Sequence, residues 1–342
     1  MKKNFSNTKL IKILIFSLVL LAPSCTKDNL SLWNQEAPAK KALIEYVNSV
    51  CKKNSPDFIP VQNRIAVFDL DGTLFCETNP TYFDFQLFVH RVLDDKSYTA
   101  SEEQLAIAQT FRKTGIVPPL GAEYEKNLAL AYAGMTLEEL NSYAQNFMEE
   151  AQPGYANLKR KDAFYKPMVQ LVEYLEKNKF KVYISSGTNR LLLRTLQEPT
   201  LHLPPYQVIG SDNVILASNQ QDQDGLSYTF QKEDQLQLAG LNIIKNLQTN
   251  KVTTIVQEIG VQPVLAFGNS LTDASMVNYT LANKNYKSLG FMLLCDDTQR
   301  EYGNLKKAQS MQESCEQNNW IPISMKNDWK TIYGDNVKKS NN

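Results

Sequence analysis

The chain has 342 residues, enough to bury one large core or two smaller ones. Hydrophobic residues make up 43% and charged residues 21%, an ordinary globular composition. Lys+Arg and Asp+Glu both number 36, so net charge offers no case for a nucleic-acid binder, and two histidines (His90 and His202) exclude a multi-histidine zinc site.

Lys2, Lys3, Lys9 and Lys12 open the chain with positive charge, and the apolar run from Ile13 to Ala22 is broken only by Ser17. That run is too short for a membrane span of about 20 residues. It fits the core of a signal peptide, so 1–24 are set apart from the fold. Leu21-Ala22-Pro23-Ser24-Cys25 resembles a bacterial lipobox, which makes Cys25 the lipidated first residue of the mature protein. An ordinary cleavage site beside a coincidental cysteine is the alternative. The expectation is an exported protein, lipid-anchored on the periplasmic or surface side of a bacterial envelope, that meets the membrane through its anchor only. Residues 25–37 read as a polar tether. Cys51, Cys76, Cys295 and Cys315 form no C-x-x-C pair, so neither a metal knuckle nor a redox motif is indicated. An oxidising compartment would permit disulfides; single buried thiols are the preferred reading.

Leu43, Ile44, Val47, Val50 and Cys51 have helical spacing, and Pro56 and Pro60 end that helix. Ile65-Ala66-Val67-Phe68 is a continuous apolar run of the kind buried on both faces in a parallel sheet. Four helices are then expected, over 83–93, 101–114, 123–132 and 137–149, with capping boxes at Ser101 and Thr136. Strand and helix alternation resumes with a helix over 167–177, a strand over 181–184 and a helix over 189–196. Residues 208–230 read as a hairpin with its tip at 219–225. A helix over 251–259 and strands over 263–267, 288–295 and 320–325 follow. The expected fold is α/β: a Rossmann-like parallel sheet core (38–75 and 166–335) with a helical cap (76–165) inserted after the first strand. Polar clusters stand at the ends of three strands, where ligands bind in such sheets.

Asp69 and Asp71 sit two apart in a turn after the first apolar strand, and Gly72 permits that turn. Paired carboxylates offer hard oxygen ligands to Mg²⁺, and a carboxylate can attack phosphorus to form an acyl-phosphate. Asp-x-Asp alone is often a solvated turn; the whole Asp69-Leu70-Asp71-Gly72-Thr73-Leu74 after a strand is far more specific. Ile184-Ser185 ends a second strand, where the Ser185 hydroxyl and the amides of the next turn, including that of Ser186, suit phosphate oxygens. Gly268-Asn269-Ser270-Leu271-Thr272-Asp273 ends a third; Asp273 also reads as a helix N-cap.

These motifs resemble those of the haloacid dehalogenase-like hydrolase superfamily. The resemblance implies that Asp69 is the nucleophile and that Asp71 protonates the leaving group and then activates water. It implies Mg²⁺ held by Asp69, Asp71 (through its carbonyl), Asn269 and Asp273, with Asn269 standing where an acid is usual. It also implies a phosphate-binding lysine opening the helix before the last catalytic strand. Lys232, Lys245 and Lys251 compete for that role, and Lys251 has the family's placement. Ser185-Ser186-Gly187 is similar to the Ser-Gly-Gly of phosphoserine-phosphatase-like members. Ser31-Leu32-Trp33-Asn34, Ala266–Ser270, Asp297–Tyr302 and Met325–Trp329 are similar to a secreted subgroup that itself carries the asparagine. The function implied is a Mg²⁺-dependent phosphomonoesterase acting on a small phosphorylated metabolite. A phosphotransferase and a non-catalytic lipoprotein that binds phosphorylated ligands are the alternatives; Asp71 disfavours a dehalogenase. Glu77, Arg91 and Arg112 are candidate substrate contacts, though such charges are more often surface groups.

Overall fold

The computed structural model describes residues 30–77, 81–119 and 121–340. The expected signal peptide over 1–24 and the expected lipidation site Cys25 lie outside the described residues. In chain order the elements are α1 (Pro38–Cys51), β1 (Ile65–Phe68), α2 (Phe83–Leu93), α3 (Glu102–Thr114), α4 (Ala122–Leu130), α5 (Leu137–Met148) and β2 (Tyr155–Ala156). They continue with α6 (Lys166–Lys177), β3 (Lys181–Asn189), α7 (Arg190–Leu201), β4 (Val208–Ala217), β5 (Leu236–Ile244) and α8 (Thr249–Glu258). Last come β6 (Leu265–Gly268), α9 (Ala274–Leu281), β7 (Leu289–Leu294), α10 (Leu305–Asn318), β8 (Ile321–Ser324) and β9 (Lys338–Lys339).

Seven strands form the central sheet in the order β5-β4-β3-β1-β6-β7-β8. All neighbours are parallel except β4 and β5. This is the expected Rossmann-like α/β core. β1, β3 and β6 supply its centre, and every residue of β1 and β6 is buried, which is why their sequences are continuously apolar. Phe68, Phe267 and Phe291 sit side by side on β1, β6 and β7. Their rings stack with centroids 4.2 and 4.9 Å apart, fixing the register that brings the ends of β1 and β6 level. Chain order reverses on either side of β1, so the crevice beyond its carboxyl end is a topological switch point.

The four helices between β1 and β3 begin and end close to the expected places. Ser101 and Thr136 each accept from the backbone N–H three residues on, and Gln104 and Glu139 reach back to complete both capping boxes. Three expectations are corrected. The partner of β4 is β5, not a strand ending at Phe230, so the hairpin tip runs over 218–235; Asp234 ties it by accepting from Asn219 and Gln231 backbone N–H and from the Tyr228 hydroxyl. Helix α10 is an addition. Residues 30–37 are not a free tether: Leu30 and Trp33 are fully buried, and the Trp33 indole donates to the Pro167 carbonyl at 3.0 Å and meets Trp329 edge-on. The packed chain therefore starts by Leu30, because one large indole outweighs the polar residues around it. Cys51, Cys76, Cys295 and Cys315 are free thiols, the last three buried.

Trp33→Ala removes a buried ring and strands a carbonyl. It is expected to cost about 3–5 kcal/mol in urea unfolding. A change within about 0.5 kcal/mol, the value for a surface position, would restore the tether.

Candidate active site

β1 delivers Asp69 to the edge of the sheet, where its N–H donates to the Phe267 carbonyl at 2.9 Å. The chain then folds back: the amides of Thr73, Leu74 and Phe75 all donate to the Leu70 carbonyl, and that of Gly72 to Phe75. Gly72 adopts φ +81°, which favours glycine. Space demands it too, since a Cβ there would stand 1.9 Å from Asn269 Nδ2 and 2.2 Å from Glu77 Oε2.

Lys251, from the first turn of α8, is fully buried and donates to Asp69 Oδ1 and Asp273 Oδ1, each at 2.6 Å. Of the three competing lysines it is the one on Asp69. Lys232 is exposed on the hairpin tip, and Lys245 pairs with Glu125 at 2.9 Å. Burial, then the neighbouring Asp273, push the Asp69 carboxyl up to about 7 against the pull of Lys251. Asp71 Oδ2 accepts from the Thr188 hydroxyl at 2.7 Å, while its Oδ1 is buried without a partner. Burial, with Asp84 and Asp69 nearby, pushes the Asp71 carboxyl well above the usual range. A carboxyl raised in this way favours its protonated form and suits proton donation to a leaving group.

Asp69 and Asp71 line a cavity of about 150 Å³ together with Glu77, Asp84, Asn269 and Lys307. Tyr82 and Tyr124 form part of its wall, and Ser186, Gly187 and Thr188 another part. Ser185 stands behind them: it is fully buried, and its hydroxyl accepts from Asn246 at 3.2 Å. Asn246 also donates to the Ser186 carbonyl at 3.1 Å, so it braces the middle of β3, which runs on to Asn189 rather than ending at Ile184-Ser185 as expected. Asp273 is likewise a strut. Its Oδ2 accepts from the amides of Asn269 and Ser270, both at 3.1 Å, while Lys251 takes its Oδ1. Those contacts occupy both oxygens that the sequence offered to a metal. Arg91 and Arg112 turn away, pairing with Asp95 and Asp94.

Among the described residues no three His, Cys, Asp or Glu side chains converge as a metal cage. Asp69 and the Asn269 amide oxygen, both on the cavity wall, nevertheless offer hard oxygens that fit a cation such as Mg²⁺, and the Asp71 backbone carbonyl would add a third. That ion takes one or two carboxylates and keeps waters and substrate phosphate for the rest of its shell.

A family model described as "haloacid dehalogenase-like hydrolase" matches residues 66–277. The chain belongs to this family. The match spans β1 to α9 and so includes every residue discussed so far at the site except Lys307. No curated protein matches. Among solved structures, the chain is similar to cytosolic 5'-nucleotidase IIIB bound to cytidine, with 12% identity, a TM-score of 0.50, and 89% of this chain and 90% of that one covered. It is also similar to a protein of unknown function from Bordetella pertussis Tohama I, with 13% identity, a TM-score of 0.49, and 76% and 98% covered. A probable phosphoserine phosphatase from Vibrio cholerae gives 13% identity, a TM-score of 0.40, and 74% and 62% covered. At these identities the likeness of this hydrolase to the nucleotidase is one of fold.

The sequence reading of this hydrolase missed Thr188, Asp84, Asn246 and Lys307, and named Glu77 without assigning it. Thr188 was within sight, three residues past Ser185. Lys307 was not, because only a thin stripe of Ala308, Met311 and Cys315 buries α10.

Lys251→Met leaves two buried carboxylates uncompensated. Urea unfolding should show a loss of about 3–5 kcal/mol. Lys232→Met on the exposed tip should stay within about 0.5 kcal/mol.

Proposed function

We propose that this hydrolase is a Mg²⁺-dependent phosphomonoesterase that works through an aspartyl-phosphate on Asp69. The observation that carries the reading is Asp69, held at 2.6 Å by Lys251, beside Asp71, held at 2.7 Å by the Thr188 hydroxyl, on the wall of one small cavity. An Asp69 oxygen attacks phosphorus as the bond to the leaving oxygen breaks, and Asp71 passes its proton to that oxygen. Water then attacks the phosphorus of the acyl-phosphate; Asp71 takes the water's proton, and phosphate leaves with Asp69 restored. The Lys251 ammonium offsets charge at Asp69, and the amides of Ser186 and Gly187 would receive phosphoryl oxygens, while that of Thr188 donates to the Ser186 hydroxyl at 3.1 Å. Mg²⁺, held by Asp69, Asp71 and Asn269, would supply further charge stabilisation to the phosphoryl group.

The volume of about 150 Å³ favours a small phosphorylated metabolite. The four helices between β1 and β3 would act as a cap that excludes water from the acyl-phosphate. The lysine-rich start and the Ile13 to Cys25 stretch support export and lipidation of Cys25, with the membrane met through that anchor alone.

Phosphate release by the purified protein from p-nitrophenyl phosphate and a panel of phosphorylated metabolites tests the reading. Release is expected with Mg²⁺ and not with EDTA. Asp69→Asn should lower kcat by ~10³-fold or more while leaving the circular dichroism unchanged. Turnover near the wild-type rate in that variant would sink the nucleophile assignment. Transfer of phosphate to an added alcohol, faster than release, would favour a transferase.

A further inference from the structure

We propose that Glu77 is the positioning residue for Asn269. It holds the amide with its oxygen toward Asp69 and returns, one side chain further out, the negative charge that asparagine lacks. The inference rests on the reading that a divalent cation sits between Asp69, Asp71 and Asn269.

Glu77 Oε2 accepts from Asn269 Nδ2 at 2.5 Å. A carboxylate only accepts hydrogen bonds, so the NH₂ end of the amide must face it. The amide oxygen is thereby sent the other way, where it lies 3.5 Å from the Thr73 hydroxyl, itself 3.4 Å from Asp69 Oδ2. Turned round, the amide would set two oxygens against each other beside Gly72, which has no side chain because this contact fills the space.

Glu77 itself is held from two sides. Lys307 Nζ lies 3.0 and 3.3 Å from its two oxygens. The preceding Cys76 is fixed by its N–H on the Ala163 carbonyl at 2.9 Å, with its thiol against buried Glu301. The glutamate side chain is largely shielded, at 14% exposure, and reaches the cavity only along the Asn269 wall. The pair is thus an amide and a carboxylate that together carry one negative charge. Lys307 balances it from outside and Asn269 presents a neutral oxygen inside.

Mn²⁺ binding to the full chain, read by the loss of the free-ion signal in electron paramagnetic resonance, tests this without any turnover. Glu77→Gln should weaken Mn²⁺ binding by ~10–100-fold, the usual cost of losing a partner that orients a metal ligand. Glu77→Asp, which withdraws the carboxylate by one methylene, should weaken it in the same direction and serves if the first variant is poorly folded. The exchanged pair Glu77→Gln with Asn269→Asp keeps one amide, one carboxylate and the same total charge. It should recover binding to within about threefold of wild type, as coupled neighbours do. Wild-type Mn²⁺ affinity in both Glu77 variants, or an exchanged pair no better than Glu77→Gln, overturns the inference and leaves the phosphatase reading intact. A wild-type chain that binds no Mn²⁺ overturns both.

Discussion

The site is organised by one buried ion triad, Asp69–Lys251–Asp273. Lys251 has no exposed surface, and its two partners are nearly as deep. Burying an ammonium is costly unless its charge and its protons are taken up at once. Here two carboxylates do so, and each belongs to a different strand end: Asp69 follows β1, and Asp273 closes the turn after β6. The lysine from α8 therefore ties the turn after β6, 22 residues on, to the end of β1, 182 residues back. With Asp273 also gripping the amides of Asn269 and Ser270, the position of Asn269 depends on the same triad.

The triad does not balance its own charge. Two carboxylates share one ammonium, and the excess grows outward. Among the described residues, Asp69, Asp71, Glu77, Asp84, Glu125 and Asp273 are met at the cavity by Lys245, Lys251 and Lys307. An apolar surrounding makes such an excess expensive, and proton uptake is one relief. Burial and the nearby Asp84 and Asp69 favour a proton on Asp71, whose Oδ1 has no hydrogen-bond partner. A divalent cation is the other relief, and on the phosphatase reading both operate together. The proton stays on the carboxyl that must donate it, while the cation gathers beside the carboxylate that must attack.

How much of this could be read in advance depended on whether a signal was local. The apolar Ile65–Phe68 run, the Asp-x-Asp-Gly turn and the capping boxes at Ser101 and Thr136 are each complete within a few residues, and they were legible. Lys251 is singled out from Lys232 and Lys245 by the family resemblance, which puts the phosphate-binding lysine at the start of the helix before the last catalytic strand. What escaped was long-range. The strand paired with β4 stands well beyond the apparent tip because Asp234 gathers donors across that loop. Trp33 looked like part of a linker because its partners, Pro167 and Trp329, are more than a hundred residues away.

Asn269 shows the same limit at the level of chemistry. Read along the chain it is a missing acid. In the fold it stands 2.5 Å from a carboxylate that precedes it by 192 residues, in room provided by the bare Gly72. Gly72 therefore serves twice, first in the left-handed turn that follows Asp69 and then as the floor on which Glu77 and Asn269 meet. A side chain at 72 would fail on both counts, because backbone strain and collision with the pair arise from the same Cβ. The turn that aims Asp69 and the contact that orients Asn269 are thus one structural constraint. On the phosphatase reading, a motif glycine with no chemistry of its own thus governs both the geometry of attack and the charge beside the cation.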